Sequence, residues 1–343
     1  MLALKTKLKY AEKVKLFLKN NNYFDNSYKA KKEKEFIYYP IKKKTISDHE
    51  INSITELVNI KLYHNSKNTS KKLKDAMANK LSLQEHKFLR KSHDIIGTIA
   101  ILEIPNELEK KEKIIAKTLL KINPRIKTVL KKNGEHQGVY RIQPMKYLAG
   151  IKTKEAVYKE NNVIMKFDVE KVYFSIRLSE ERKRISRLVK PGENILVMFS
   201  GCGPYCLILA KNTKASNVLG IEINPIAHKY GLENIKINKI NNIKLINNDV
   251  KNEIENLKEK FDRIIMPLPK YAENFLDEAL RVSKTGTIIH FYDFLHEKEF
   301  EKAIEKIDFA CKKNNIQYKI LRTVKCGQHS PRIYRICIDF VIV

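Results

Sequence analysis

Residues 194–211 read NILVMFSGCGPYCLILAK, and this stretch decides the fold. Residues 194–199 form an apolar run suited to a buried strand, and 205–211 continue as a helix. Between them stands Ser200-Gly201-Cys202-Gly203-Pro204. Glycines at a strand-to-helix turn let the backbone approach a ligand closely, at a helix N-terminus and at the carboxyl end of a parallel strand. The same rhythm continues downstream. NVLGIEI, IKLIN, DRIIMPLP and TGTIIHFY read as strands, alternating with helical stretches at 225–234, 251–258, 271–282 and 302–315. Repeated strand–helix units imply a largely parallel sheet covered on both faces. The closing runs, YKILRTVKC and IYRICIDFVIV, are joined through residues 327–331 and read as a hairpin on the sheet edge.

Three features fall on successive strand ends of this region. The first is the Gly201/Gly203 loop. The second is Glu222, 19 residues beyond Gly203, where a carboxylate can accept both hydroxyls of a ribose. The third is Asp249, placed for a contact to an adenine amine. Together they outline a pocket for a nucleoside-type cofactor. An ordinary series of α/β turns is the plainer reading. The third glycine of the dinucleotide fingerprint is missing, so NAD and S-adenosylmethionine both remain open here. A fourth strand ends in Met266-Pro267-Leu268-Pro269, whose two prolines make a rigid wall where substrate would meet cofactor. Upstream, VYFSIRLSEER (172–182) carries two aromatics into a helix start with Ser179 as N-cap. Glu180 and Glu181 stand in its first turn, where helix capping would explain them equally well.

The rest of the chain sets the context. Its 343 residues suggest two or three domains, and 43% hydrophobic residues suffice for a core. Lys and Arg number 67 against 39 Asp and Glu, a formal charge of +28 that points first to a polyanion such as nucleic acid. A Lys-rich proteome would explain part of that excess but not its distribution. Residues 1–90 hold 21 basic against 9 acidic side chains, roughly twice the net charge density of the remainder. Residues 3–18 have helical spacing in Leu4, Leu8, Ala11, Val14 and Leu18, and KKEKEFIYYPI reads as a strand. Residues 66–80 read as a basic linker or exposed helix start. DIIGTIAILEIP (94–105) reads as one strand, 106–122 as a helix, and EAVYKENNVIMKFDVEKVYFS as antiparallel strands. The charged start, MLALKTKLKY, does not fit a signal peptide, and no apolar run reaches the length of a membrane helix. Five Cys without a C-x-x-C pair argue against a disulfide framework or a zinc site, and a cytoplasmic protein without a metal is expected.

VYFSIRLSEER, PGENILVMFSGCGP, EINP and MPLP together resemble the archaeal and eukaryotic tRNA (guanine-37)-N1-methyltransferase family. That family's usual forms are close to VYFSPR..TER, VLDMFAGVGPF, a D/E-x-NP turn and MNLP. DIIGTIAILEIP, KYLAG…TKEAVYKENN and KEFIYYPI extend the similarity over nearly the whole chain. The resemblance implies a Rossmann-like α/β domain using S-adenosylmethionine (166–343), preceded by two smaller α+β domains. These are a basic tRNA-binding domain (1–65) and a middle domain (66–165) that helps to bind tRNA and the target base. It further implies Glu181 as general base and Arg141 as the group holding the guanine carbonyl. The implied cofactor contacts are Tyr173, Arg182, Phe199, Gly201, Gly203, Glu222, Asp249, Val250 and Pro267. Pro267 and Pro269 would wall the substrate base. The implied partner is tRNA, held at its anticodon loop and elbow by a monomer.

Three positions depart from the usual pattern: Pro267 replaces Asn, Val197 replaces Asp, and Ile176 replaces Pro. The Pro-x-Pro form is similar to one archaeal branch whose members also methylate C7 of the wyosine intermediate imG-14. Two rival readings are aminocarboxypropyl transfer from the same cofactor and a non-catalytic RNA-binding protein.

Overall fold

The computed structural model describes residues 1–42, 46, 48–63, 73–90, 92–268 and 270–343. The chain divides into two compact units, Met1–Asp75 and Ala76–Val343.

In the first unit, a four-stranded antiparallel sheet is ordered Lys31–Glu33, Phe36–Pro40, Leu2–Lys7, Thr55–Asn59. The helix expected over 3–18 is confined to Ala11–Asn20, and Leu2–Lys7 is the strand between two partners. Pairing on both sides satisfies its backbone groups, and this outweighs local helical spacing. The spacing still marks buried residues, because Leu4, Val14 and Leu18 share one apolar cluster with Tyr39 and Ile51. Residues 66–72 of the basic stretch 66–80 lie outside the described residues, and a short helix, Leu73–Ala76, follows them.

The second unit is built on a seven-stranded sheet. Its order is Ile243–Asn247, Asn217–Glu222, Asn194–Met198, Arg263–Met266, Ile288–His296, Ile333–Ile342, Tyr318–Ser330. The first five strands are parallel, and the last two form the expected antiparallel edge hairpin. Leu196, Met198, Ile264, Phe291, Phe340 and neighbours pack beneath helices on one face. Ile195, Val197, Ile265 and Tyr292 pack beneath the helix Pro204–Asn212 on the other. Alternate residues of one strand thus serve opposite faces, as a doubly wound sheet requires.

A smaller sheet joins Asp94–Ile96, Ile99–Leu102, Thr128–Lys132 and Met145–Gly150. DIIGTIAIL is therefore two strands rather than one. The chain reverses at Gly97, whose φ is +59° and where a side chain's Cβ would meet the Val157 carbonyl oxygen at 2.1 Å. The next pair, Glu155–Glu160 and Val163–Asp168, is the expected antiparallel hairpin. One apolar cluster runs from Ile99 and Leu130 through Val163 and Phe167 to Cys202, Leu207 and Ala227. These small sheets are therefore packed onto the helices of the large one. Asn234 and Asn238, one turn apart on the helix Pro225–Asn238, accept from Lys166 N–H (2.7 Å) and Ile164 N–H (2.8 Å). Asn234 also donates to the Cys202 carbonyl oxygen at 3.1 Å, so the hairpin and the glycine loop are held by one side chain.

Candidate active site

Asn194–Met198 has Asn217–Glu222 on one side and Arg263–Met266 on the other. The strand order reverses here, with the next two strands laid down on one side and the following two on the other, which opens a crevice at the carboxyl ends of the parallel strands. A cavity of about 490 Å³ lies there, within the range of small-molecule sites. Its floor is made by residues at or just beyond the ends of four strands: Phe199, Ser200 and Gly201; Glu222, Ile223 and Asn224; Asp249 and Val250; Pro267 and Leu268.

The floor suits a nucleoside. Gly201 has φ +58°, and its N–H donates to Glu222 Oε2 at 2.6 Å. Glu222 Oε1 accepts from Asn224 N–H at 2.8 Å, so each carboxylate oxygen keeps acceptor capacity. Burial raises the pKa of Glu222, against the lowering effect of those two N–H groups. Ser200 Oγ is buried without a hydrogen-bond partner at the same cavity wall. A buried orphan hydroxyl beside an incompletely used carboxylate is what a bound polar ligand would satisfy. Asp249 has a local job as well, capping the helix Val250–Asn256 by accepting from Lys251 N–H at 2.8 Å. Phe199, which meets Phe275 edge-on at 4.8 Å, adds an aromatic wall, and Val250 and Leu268 an apolar one. These residues fit S-adenosylmethionine.

The mouth is built from other segments. Arg141 (φ +50°) donates from Nη2 to the Lys270 carbonyl oxygen at 2.8 Å, drawing 138–141 toward 270–271 across the cavity. Tyr173 lines the cavity, and its hydroxyl accepts from Arg335 Nη2 at 2.9 Å. Its ring meets the His136 ring at 5.3 Å. Phe174 packs on Phe167 at 4.6 Å and carries the Arg182 guanidinium over its face.

The cavity thus gathers Arg141, Tyr173, Arg182, Phe199, Gly201, Glu222, Asp249, Val250 and Pro267. Gly203 does not line it. With φ +88° it is the residue that turns the loop into the helix Pro204–Asn212. Pro269 lies outside the described residues. Arg182 lines the cavity, but it is 2% exposed and its guanidinium is committed to Glu160 and to the Ser175 carbonyl oxygen. Glu181, the expected base, is not on the cavity surface. It sits behind the wall, and its carboxylate accepts from Arg184 Nε (2.7 Å) and Nη2 (2.8 Å) and from Tyr292 Oη (2.6 Å). Burial acts to raise its pKa, but the Arg184 guanidinium and the Tyr292 hydroxyl outweigh it and hold the carboxyl below its ordinary range. Sequence reading missed Tyr205, Phe275 and the Gly138–Tyr140 mouth. For Tyr205, only its place one residue inside the helix after the glycine loop could have suggested the cavity.

Behind Glu181 runs a buried charge network. Arg184 also grips Asp339, Asp339 accepts from His290 Nδ1 at 2.6 Å, and Arg263 joins His290 Nε2 to Glu193. A guanidinium only donates, so His290 carries its proton on Nδ1 and accepts at Nε2. His290, Cys337 and Asp339 place their ligand atoms within 4.8 Å of one another. Two guanidiniums on the same groups make that cluster unfavourable for a cation.

The fold and this site define an S-adenosylmethionine-dependent methyltransferase. Residues 156–321 match the TRM5/TYW2 methyltransferase domain, 73–153 the TYW2 N-terminal domain and 3–48 the tRNA methyltransferase 5 N-terminal domain. The chain is 37% identical to the tRNA (guanine(37)-N(1))-methyltransferase Trm5b of Pyrococcus abyssi, over 99% of this chain and 98% of that one. The crystal structure of that relative superposes with a TM-score of 0.75, at 36% identity, covering 100% of this chain and 99% of that one. A complex of aTrm5 with tRNALeu gives a TM-score of 0.71 at 30% identity, with 100% of both chains covered. The tRNA (guanine(37)-N(1))/4-demethylwyosine(37)-methyltransferase Taw22 of Nanoarchaeum equitans is 36% identical over 74% of this chain and 100% of its own. The chain belongs to the Trm5 family of tRNA methyltransferases, which is related to the wyosine-pathway enzymes. Among the described residues, no helix is long and apolar enough to cross a membrane.

Proposed function

We propose that this chain methylates N1 of guanosine 37 in tRNA. The observation that carries the reading is one cavity with a nucleoside floor, Gly201 and Glu222, and a guanidinium, Arg141, at its mouth. When bound on that floor, S-adenosylmethionine supplies a methyl group activated by its sulfonium charge. Neutral guanine carries a proton on N1, so the protein must take that proton and stabilise charge developing on the carbonyl oxygen. Arg141 has donors left after its bond to Lys270, and we assign them to that oxygen. Glu181 is assigned as the proton's destination. Tyr173 and Phe199 flank the floor as cofactor contacts, while Pro267 walls the base. The target base must leave the anticodon-loop stack to enter, at a cost of a few kcal/mol.

The first 65 residues are assigned to the tRNA elbow, residues 66–165 to tRNA and the target base, and 166–343 to methyl transfer. The enzyme acts as a cytoplasmic monomer. Nucleosides from tRNA transcripts with G or A at position 37, incubated with S-adenosylmethionine and analysed by mass spectrometry, test the reading. A 1-methylguanosine gain confined to the G37 transcript, with S-adenosylhomocysteine as by-product, is expected. Methylthioadenosine would indicate aminocarboxypropyl transfer instead.

Pro267 favours a second activity. A proline where the family usually has Asn leaves a less polar wall beside the base, one suited to a bulkier tricyclic nucleoside. C7 methylation of imG-14 follows, and tRNA carrying imG-14 that shows no mass gain would remove this second reading.

A further inference from the structure

We propose that Glu181 takes the guanine proton through two tyrosine hydroxyls, Tyr292 and Tyr205, and that Tyr205 is the group at the cavity that receives it. This rests on the functional reading above and deepens it.

Glu181 sits away from the cavity. Its carboxylate is 5% exposed, does not line the cavity, and is held on both oxygens by Arg184. Direct contact with a base would require breaking that pair. The hydroxyls offer a path with no such movement. Tyr292 Oη lies 2.6 Å from Glu181 Oε1, and Tyr205 Oη lies 3.0 Å from Tyr292 Oη. Both rings are buried, Tyr292 at 1% and Tyr205 at 3% exposed, but only Tyr205 lines the cavity.

Proton bookkeeping gives this chain a direction. An ionised carboxylate can only accept, so the single proton of Tyr292 points at Glu181. Tyr292 then has only an acceptor to offer Tyr205, and the Tyr205 proton must point inward. The Tyr205 oxygen is left with its remaining acceptor capacity, and because Tyr205 is the cavity-lining member of the chain, we assign that oxygen as its substrate end. All links are thus aligned to carry a proton from the cavity to Glu181. Alignment in a buried setting also strengthens each link.

The transfer balances. The N1 proton passes to Tyr205 Oη, the Tyr205 proton to Tyr292 Oη, and the Tyr292 proton to Glu181 Oε1. The electron pair freed on N1 forms the bond to the methyl carbon as the carbon–sulfur bond breaks and its pair stays on sulfur. Both tyrosines end neutral and Glu181 ends as the acid. A base held below the ordinary carboxylate range suffices, because the N1 proton becomes more acidic as the new bond forms. The facing groups are Arg182 and Arg184 from Glu181's own helix, Tyr205 from the helix after the glycine loop, Tyr292 from the central sheet, and Cys326, Cys337 and Asp339 from the edge hairpin. The family's usual GVGPF has Phe where Tyr205 stands, so Tyr205 supplies a hydroxyl that the usual pattern lacks.

The test is a double-mutant cycle on G37 tRNA with Tyr205→Phe, Glu181→Gln and the pair. Tyr205→Phe is expected to lower kcat by about 10-fold or more, with tRNA and S-adenosylhomocysteine affinities unchanged. The pair is expected to be no slower than Glu181→Gln alone, since both act in one chain. Without cofactor or tRNA, proton NMR is expected to show slowly exchanging Tyr205 and Tyr292 hydroxyl protons. Tyr205→Phe removes one of them and Glu181→Gln moves the other. Wild-type kcat in Tyr205→Phe, or losses that add in the pair, would overturn the relay. A wild type that leaves G37 unmethylated would instead overturn the functional reading, and the relay with it.

Discussion

Arg141 Nη2 donates to the Lys270 carbonyl oxygen at 2.8 Å, and this bond ties together two segments 129 residues apart at the mouth of the cavity. The same guanidinium is assigned to the guanine carbonyl, so its loss should act in the transition state. Arg141→Ala is expected to lower kcat/KM on G37 tRNA by about 10²–10³-fold, the size seen when one donor to a developing oxyanion is removed. S-adenosylhomocysteine affinity, measured by calorimetry, should stay within about threefold. Equal loss of cofactor affinity would make Arg141 a floor residue rather than a base-side one.

Glu222 gives the opposite pattern. Its oxygens are positioned by Gly201 N–H and Asn224 N–H, with acceptor capacity left toward the cavity. Glu222→Gln is expected to weaken S-adenosylhomocysteine binding by about 10–100-fold, as hydrogen bonds to a charged group are worth about 1.5–3 kcal/mol. Affinity for tRNA in a filter-binding assay should be unchanged.

The network behind Glu181 makes stability depend on pH. Burial lowers the pKa of His290 below its ordinary 6.5, although Asp339 opposes this. The unfolded chain therefore binds a proton near pH 6 that the folded chain refuses. Stability from this group rises with pH through the interval below 6.5 and is fully present above it. Thermal unfolding from pH 5 to 8 should show a smaller rise in His290→Asn than in the wild type. An unchanged slope would show that His290 is protonated in the folded state.

The basic N-terminal unit, Met1–Asp75, has its own sheet and its own core. Deleting it should weaken tRNA binding and flatten the dependence of affinity on salt, because fewer counterions are released. Cofactor affinity should persist, since the cavity lies wholly within Ala76–Val343. A parallel loss of both would overturn the assignment of this unit to tRNA.

The local sequence determined a good deal. Apolar runs alternating with helical spacing were enough for the parallel sheet, because side-chain periodicity reports which face is buried. Gly201, Glu222 and Asp249 could be placed on one crevice, because successive parallel strands end on the same side of a sheet. Tertiary structure decided the rest. Leu2–Lys7 is a strand because two distant segments pair with it, and DIIGTIAIL is two strands because Gly97 turns under the Val157 carbonyl. Glu181 matched a family motif as a base, yet only the folded chain shows it turned from the cavity toward Arg184 and Tyr292. Those partners lie 3 and 111 residues away in sequence. Arg184 is a neighbour on Glu181's own helix, a spacing the sequence carries, but the Tyr292 contact depends on packing between remote elements, and no spacing along the chain encodes that.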